Sequence, residues 1–344
     1  MTTIDTRTMG RTGLALTTLG FGAASLGNLY KPVDDAAAHG AVAAALAAGI
    51  RYFDTAPHYG RGLSERRLGD ALRGAGDVVV STKVGRLMVP DDSVTDDRER
   101  DGFRSAMPFR AVYDYTHDGI LRSHEASLHR LGLAKVDILF VHDIGGLTHG
   151  DAAAHYWAQL TDGGGFRALE RLRHEGAIRG FGLGVNEVEV CLDAMRVAAL
   201  DVILLAGRYS LLDQQALDAF FPACVAAGTA VVVGGPYNSG ILATGVRSGR
   251  PLHYDYAAPP AGIVERTAWI EAIADTHGIP LPAAALAFVL AHPAVASVIP
   301  GMGSPARVEA TAALAAHPIP AGFWSDLRAS GLVRAEAPLP GELA

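Results

Sequence analysis

Short apolar segments alternate with longer segments of helical periodicity along the chain. Most of the short segments are apolar at consecutive positions rather than at every second one, which is typical of parallel strands buried on both faces. We therefore predict eight strands. They cover residues 17–23, 52–56, 77–84, 136–143, 180–185, 202–207, 230–235 and 296–301.

The segments between these strands predict helices. Several are followed directly by glycine, as at Gly49 and Gly132, which suits the positive φ that often follows a helix C-terminus. One helix begins at Ser64, which we predict as its N-cap. The predicted helices cover residues 34–48, 64–72, 116–131, 166–175, 187–199, 214–227, 263–277, 281–292 and 304–316.

Eight strand–helix units in series predict an α/β fold, a (β/α)8 TIM barrel formed as a single domain over residues 1–344. The alternative is an open doubly wound sheet, which usually carries the motif GxGxxG after its first strand. The sequence lacks this motif, and its nearest match, GLGVNE at 182–187, has glutamate at the third glycine position. The pattern therefore favours the barrel.

Two segments are longer than a barrel repeat requires. Residues 85–115 follow the third predicted strand and include the charged stretch DDSVTDDRERD, while residues 237–260 follow the seventh and are rich in Gly, Ser and Pro. The first segment is either a solvated surface loop or a lid, because loops that follow barrel strands lie at the mouth where active sites form. We expect long loops around this mouth.

Charge and cysteine content exclude several classes of function. Lys and Arg number 29 against 36 Asp and Glu, with no basic cluster, so we expect no nucleic-acid or membrane partner. Two cysteines, Cys191 and Cys224, cannot form a disulfide framework or a Cys-rich zinc site. The polar N-terminus shows no secretory segment, and no apolar run approaches the ~20 residues of a membrane span. We expect a soluble, cytoplasmic protein with a small-molecule substrate, and the oligomeric state stays open.

Ionisable residues stand at or near the ends of three neighbouring apolar strands. Asp54 lies inside the second predicted strand with Tyr59 just after it, and Lys83 and His142 end the third and fourth. A buried Asp or Lys is costly unless it is paired. Each residue also has an alternative, purely structural interpretation: Asp54 as an N-cap, Lys83 as a surface lysine and His142 as a core histidine. In a barrel, however, all four would meet at one mouth.

These four groups together could move a proton to or from a substrate oxygen. A lysine ammonium ~4 Å from the Tyr59 phenol would favour phenolate by roughly 4 kcal/mol at an effective dielectric of 20. Because desolvation offsets part of this, we expect the pKa of Tyr59 to fall by about one to three. Asp54 would hold Lys83, and His142 would donate a hydrogen bond to the substrate oxygen. None of the four supplies a hydride, so a cofactor is implied.

Several long motifs resemble the aldo-keto reductase family. They are FDTAPHYG at 53–60, SERRLGDAL at 64–72, DYTHDGILRSHEASLHRLGLAKVDILFVHD at 114–143 and VGGPYNSGIL at 233–242. The strings are most similar to the D-threo-aldose 1-dehydrogenase (L-fucose dehydrogenase) subgroup; L-galactose dehydrogenase and pyridoxal 4-dehydrogenase are similar. The resemblance implies that Asp54, Tyr59, Lys83 and His142 are catalytic.

This resemblance also implies an activity. An NAD(P)-dependent enzyme would oxidise C1 of an aldose, such as L-fucose or D-arabinose, to the lactone, with Tyr59 as acid and base. The alternatives are a pyridoxal 4-dehydrogenase or a general reductase of aldehydes and ketones acting on the same site. A non-catalytic cofactor-binding subunit is a further alternative, which the complete set of four catalytic residues disfavours.

The same resemblance assigns a cofactor site. Asn186 would hold the nicotinamide carboxamide and Tyr209 would stack on the ring, while residues 235–242 would wrap the pyrophosphate and residues 299–307 the adenosine. The full set is Gly22, Ala23, Asp54, Asn186, Tyr209, Gly235, Pro236, Tyr237, Asn238, Ser239, Gly240, Leu242, Ile299, Gly301, Gly303, Ser304 and Arg307.

The sequence departs from the family pattern at three cofactor positions. Val185 replaces a serine and Ala206 a glutamine, so carboxamide contacts would be fewer. Gly301 stands where many NADP-specific members carry a lysine, which favours NAD, although Arg307 could still pair with a phosphate.

For the substrate we predict contacts in the mouth loops, and we predict no metal site. His124 and His129 are five residues apart on a predicted helix and lie roughly 140° apart around it, so they cannot share a metal. The predicted substrate residues are Tyr30, His58, Tyr59, Phe109 and His142.

Overall fold

Eight parallel strands surround an apolar core in the computed structural model, which describes residues 4–342. The barrel strands are β3 (Phe21–Gly22), β4 (Tyr52–Asp54), β5 (Val79–Val84), β8 (Ile138–His142), β9 (Gly180–Val185), β10 (Val202–Ala206), β11 (Ala230–Gly234) and β12 (Val295–Ile299). Two hairpins stand apart from them and consist of β1 (Thr6–Met9) with β2 (Leu14–Thr17), and β6 (Arg86–Pro90) with β7 (Phe109–Tyr113).

The order of the strands and their closure define the fold. Neighbours in the sheet follow the order β3, β4, β5, β8, β9, β10, β11, β12, and each adjacent pair is parallel. Parallel bridges from Leu19 to Val298 and from Gly22 to Gly301 join the two edges. The predicted (β/α)8 barrel is therefore confirmed. The carboxyl ends of all eight strands lie at one mouth.

The hairpin of β1 and β2 closes the opposite end of the barrel. Met9, Leu14 and Leu16 are buried against the first residues of the barrel strands, such as Tyr52 and Ile138. We predicted that the first barrel strand begins at residue 17, and this start was wrong. The strand begins at Phe21, because Thr17 pairs with Thr6 in the hairpin. The alternation of apolar and polar residues that marks a hairpin covers only four residues here, too few to stand out in the sequence.

Helices cover the outside of the barrel. They are α1 (Asp35–Ala47), α2 (Leu63–Leu72), α3 (His117–Leu131), α4 (Gly146–His149), α5 (Ala153–Leu160), α6 (Gly165–His174), α7 (Glu189–Val197), α8 (Phe220–Ala227), α9 (Ile241–Thr244), α10 (Ala261–Thr276), α11 (Leu281–Ala291), α12 (Pro305–Ala315) and α13 (Ala321–Ala329). Within residues 4–342 no single helix is long and apolar enough to cross a membrane. Helices α10 and α11 reach that length and apolar character only when they are taken together, and they are bent by 101° relative to each other.

Some predicted helix ends differ from the structure. Ser64 is not an N-cap, because α2 begins at Leu63 after Gly62, whose φ of 101° turns the chain into the helix. The Ser64 hydroxyl instead donates to the Ala23 carbonyl at 2.7 Å. The helix predicted from residue 214 begins at Phe220, after a separate 3-10 turn. Helices α4, α5, α9 and α13 were not predicted.

Candidate active site

Asp54 and Lys83 form a buried ion pair where β4 and β5 end. Lys83 Nζ donates to Asp54 Oδ2 at 2.7 Å and to the Thr55 carbonyl at 2.9 Å, and both charged side chains are 2% exposed. Ser81 donates to the other Asp54 oxygen at 2.7 Å. Gly184 on β9 makes room for the lysine, because a Cβ there would lie 3.3 Å from Lys83 Cε. The pair is therefore fixed inside the barrel mouth.

Burial and the mutual attraction of the pair act in opposite directions on both pKa values. Burial lowers the pKa of Lys83, but the charges of Asp54 and Tyr59 outweigh it and the net change is upward. Burial raises the pKa of Asp54, and Lys83 and Ser81 oppose that rise. Lys83 is thus a permanent cation beside the phenol of Tyr59.

Tyr59 lies in a tight turn directly after β4. Its ring centroid is 4.7 Å from Lys83 Nζ, so the sequence prediction of an adjacent phenol and ammonium agrees with the structure. The predicted fall in pKa does not. Burial raises the pKa of Tyr59 to about 12, and the charge of Lys83 offsets only part of this rise. Desolvation of the phenol outweighs the nearby cation.

His142 ends β8 and faces Tyr59. The two ring centroids are 6.1 Å apart and the rings are perpendicular. Burial, followed by the charges of Arg86 and Lys83, lowers the pKa of His142 well below its ordinary value. The imidazole is therefore neutral at neutral pH. A neutral imidazole can donate one hydrogen bond to a substrate oxygen without carrying a charge.

Aromatic residues line the wall beside His142 and Tyr59. The ring of His58 is 5.9 Å from that of His142, and burial lowers the pKa of His58 to about 3. Phe103, which we did not predict, is 3% exposed and lies 6.0 Å from the ring of Tyr59 and 5.4 Å from that of His58. The segment 85–115 therefore packs against the mouth. The only sequence signal for Phe103 is an aromatic residue within a charged stretch.

The other two predicted substrate residues lie further out. Tyr30 is half exposed, and its N–H donates to the Gly102 carbonyl at 2.9 Å. Phe109 begins β7, and its carbonyl accepts a hydrogen bond from Arg61 at 2.7 Å. The structure places both on the rim and does not bring either ring into contact with His142 or Tyr59.

Gly27 and Gly60 pack backbone against backbone beside Tyr59. A Cβ at Gly27 would lie 2.5 Å from the carbonyl carbon of Tyr59 and 2.7 Å from the Gly60 nitrogen. We expect Gly27→Ala to displace the phenol and to lower kcat about 10- to 100-fold, because misplacement by about 1 Å costs that much. Steady-state kinetics would measure the loss.

A matched control exists for this change. Gly76→Ala should keep wild-type kcat, since a Cβ at Gly76 meets no atom within 4 Å. If Gly27→Ala also kept wild-type kcat, the proposed backbone support for Tyr59 would be wrong.

A second group of predicted residues lies at the ends of β9 to β12, a region that we call the groove because the family resemblance places the cofactor there. Asn186, Gly235, Gly301 and Arg307 have accessible surface there, and β11 and β12 pair between Gly234 and Ile299. A Cβ at Gly301 would meet no atom within 4 Å. Gly301 therefore leaves space at the position where the family resemblance places the adenosine.

Polar groups in this groove suit a nucleotide. The Tyr237 hydroxyl is buried without a hydrogen-bond partner among the described residues, and the charge of Arg307 acts on it. Ser304 caps α12, whose first-turn N–H groups favour an anion. Asn186 Nδ2 donates to the Ala206 carbonyl at 3.0 Å, which fixes the amide at the mouth. These residues fit a nicotinamide dinucleotide.

The predicted role of Tyr209 was wrong. Its side chain is 0% exposed and belongs to the core between the strands and the outer helices. Its ring packs 4.6 Å from Phe221 and 5.1 Å from Phe288. No ring face is open to a nicotinamide, because helices α8 and α11 enclose it.

Several other predicted cofactor residues are buried beneath this region and support its backbone. Asn238 is buried, and its amide donates to the Gly207 carbonyl at 3.2 Å. Leu242 and Ala23 are fully buried, and a Cβ at Gly22 would lie 2.7 Å from the Ile299 carbonyl oxygen. Their side chains therefore do not reach a ligand. The remaining predicted positions, Pro236, Ser239, Gly240 and Gly303, lie on the loops that border the groove.

The barrel, together with the comparisons with known proteins, identifies an oxidoreductase. The chain belongs to the Aldo/keto reductase family, which matches residues 18–331. Pyridoxal 4-dehydrogenase from Microbacterium luteolum is 46% identical to it, with 96% of this chain and 98% of that protein covered. D-threo-aldose 1-dehydrogenase from Pseudomonas sp is 40% identical, with 93% and 96% covered.

More distant relatives support the same family. L-galactose dehydrogenase from Arabidopsis thaliana is 31% identical, with 90% of this chain and 87% of that protein covered. Among solved structures, the holo form of an aldo-keto reductase from Bacillus halodurans superposes with a TM-score of 0.72 at 26% identity. That match covers 96% of this chain and 97% of the other.

Proposed function

We propose that this protein is an NAD(P)-dependent dehydrogenase that oxidises C1 of an aldose to the lactone. The observation that carries this proposal is the meeting of four groups at one mouth. Lys83 is paired to Asp54 at 2.7 Å and lies over the ring of Tyr59, while His142 faces that ring. A neighbouring groove suits a dinucleotide. The relative named D-threo-aldose 1-dehydrogenase supports an aldose as substrate.

Each of the four side chains has a separate task in this reaction. His142 donates a hydrogen bond to the C1 oxygen and orients the substrate. Tyr59 takes the proton of the C1 hydroxyl, and Lys83 stabilises the resulting negative charge on the Tyr59 oxygen. A bound oxidised nicotinamide would supply the acceptor for the hydride of C1. In total the C1 hydroxyl oxygen loses a proton and the C1 carbon loses a hydride, which is a two-electron oxidation that forms the C=O bond.

The residues of the groove would hold the cofactor. Asn186 and Tyr237 supply polar side chains, and the N-terminus of α12 supplies backbone N–H groups for a phosphate. Val185 and Ala206 supply no polar side chain to the carboxamide. Gly301 adds no charge near the adenosine, which favours NAD over NADP.

Kinetics at Arg307 test the cofactor preference. We expect the wild type to have the higher kcat/KM with NAD, and Arg307→Ala to leave that value within about twofold. With NADP the same change should raise KM about tenfold, because a charge-assisted hydrogen bond to phosphate contributes at least 1.4 kcal/mol. Arg196→Ala is the control, since Arg196 is exposed on α7 and pairs with Asp193. Equal losses with both cofactors would contradict a phosphate-specific role.

A substrate panel tests the activity itself. Wild-type protein would be assayed with L-fucose, D-arabinose, pyridoxal and simple aldehydes, each with both cofactors. The proposal requires oxidation of an aldose with the highest kcat/KM. The second candidate function is oxidation of pyridoxal at the same site, which the 46% identity to a protein named pyridoxal 4-dehydrogenase favours. Cofactor binding without any turnover would contradict both.

A further inference from the structure

An additional ion pair lies directly beside the catalytic histidine. Asp143 follows His142 at the end of β8, and its Oδ2 is 3.4 Å from His142 Nε2. Arg86, the first residue of β6, donates from Nη2 to the same carboxylate oxygen. Its guanidinium also lies over the ring of Tyr113, 5.4 Å from the centroid. Neither charged residue has a task in the reaction described above.

The backbone directs Asp143 to this position. Its φ is +43°, an unusual value for a residue other than glycine, and its N–H donates to the Gly184 carbonyl at 3.0 Å. The next strand therefore fixes the residue immediately beyond the end of β8. Such strain is retained where the surrounding structure holds it and where a side chain must point in one direction.

Arg86 offsets the negative charge of the Asp143 carboxylate beside the reacting oxygen. Its side chain is 5% exposed, and its Nε has no hydrogen-bond partner among residues 4–342. The guanidinium balances the charge of Asp143, so that the carboxylate does not repel the negative charge that develops on the substrate oxygen. Burial raises the pKa of Asp143, and Arg86 and Lys83 oppose this rise.

One oxygen of this carboxylate remains available. The Asp143 side chain is 21% exposed, and the hydrogen bonds of the described residues involve Oδ2 but not Oδ1. Asp143 therefore presents a fixed acceptor at the mouth. A substrate hydroxyl can donate to it, whereas an ether oxygen or a carbonyl cannot.

We propose that Asp143, held by Arg86, selects substrates with a hydroxyl group on the carbon next to the reacting carbon. This inference rests on the proposed aldose oxidation. Oxygens on neighbouring carbons of a sugar are about a hydrogen-bond length apart. If His142 Nε2 holds the C1 oxygen, the Asp143 carboxylate, whose Oδ2 is 3.4 Å from that nitrogen, can accept a hydrogen bond from the C2 hydroxyl through its other oxygen, Oδ1. The ring oxygen of the sugar, which also neighbours C1, has no proton to donate.

The test compares two sugars that differ only at C2. Kinetics with D-arabinose and with 2-deoxy-D-ribose, its 2-deoxy counterpart, would be measured for the wild type and for Asp143→Asn and Asp143→Ala. We expect the wild type to prefer D-arabinose in kcat/KM. Both variants should lose about 10- to 100-fold with D-arabinose, because hydrogen bonds to charged groups contribute about 1.5–3 kcal/mol. With 2-deoxy-D-ribose they should change less than threefold.

The ratio between the two sugars separates specificity from folding. A partly unfolded variant loses activity with both sugars equally, so the ratio does not depend on the folded fraction. Asp92→Asn, at an exposed position of the segment 85–115, should keep the wild-type ratio. Equal losses with both sugars in Asp143→Asn would overturn the inference and leave aldose oxidation standing. A wild type that oxidises no aldose would overturn both.

Discussion

Tyr59→Phe is expected to lower kcat for oxidation about 10³-fold, within the range that general acid–base catalysis supplies. The change removes only the phenolic oxygen, and the ring keeps its contacts with Phe103 and His142. Stopped-flow or steady-state absorbance of the reduced nicotinamide would measure the loss. Because the pKa of Tyr59 is raised to about 12, wild-type kcat/KM for oxidation should also increase with pH through the alkaline range. The variant should lose that increase.

Two measurements make this result specific. Cofactor binding, followed by quenching of intrinsic fluorescence, should be unchanged in Tyr59→Phe. Tyr156→Phe is the matched control, because the ring of Tyr156 on α5 packs against His149, 4.2 Å between ring centroids, and not against Tyr59 or His142 among the described ring contacts. It should retain wild-type kcat. Near-normal turnover by Tyr59→Phe would remove Tyr59 from the acid–base role.

Lys83→Met is expected to destabilise the protein by about 3–5 kcal/mol and to abolish turnover. The change leaves the Asp54 carboxylate buried without its 2.7 Å partner, and an unpaired buried charge costs this much. A loss of this size is a large part of a typical stability of about 5–15 kcal/mol. Turnover is lost because the cation that offsets part of the rise in the pKa of Tyr59, and that stabilises its phenolate, is gone. Urea denaturation and steady-state kinetics would measure the two effects.

A double variant separates stability from catalysis. Asp54→Asn combined with Lys83→Met leaves no buried charge, so we expect it to regain more than half of the lost stability. It should stay inactive, because the cation beside Tyr59 is still absent. A double variant that regained turnover together with stability would show that the ion pair acts only as structural support.

Much of the fold follows from the sequence pattern. Parallel strands buried on both faces are continuous apolar runs, and each of the eight predicted runs overlaps a barrel strand. The two hairpins do not have that pattern. β1 and β2 are four residues each, and β6 with β7 crosses a charged insertion of the chain. Their pairing joins segments that are short or distant, so local periodicity carries little information about them.

The four catalytic candidates were found because a charge in an apolar strand is conspicuous. Asp54, Lys83 and His142 each stand at a strand end, and the barrel brings strand ends to one place. Asp143 is the last residue of the predicted fourth strand and Arg86 lies in the long segment after the third, and a charged residue at either position is also typical of a solvated strand end or loop. Only the structure places them beside His142. The error at Tyr209 has the opposite origin, because a motif match gives a residue type without its orientation.

The sequence by itself determined the barrel class and the identities of the four groups at its mouth. Hydrophobic periodicity records which surfaces are buried, and burial makes isolated charges visible. The tertiary structure alone decided the distances and the balance of desolvation against charge, and hence the raised pKa of Tyr59. It also decided the enclosure of Tyr209 and the placing of Asp143 within 3.4 Å of His142. These quantities depend on atoms from strands far apart in the chain, which no local pattern encodes.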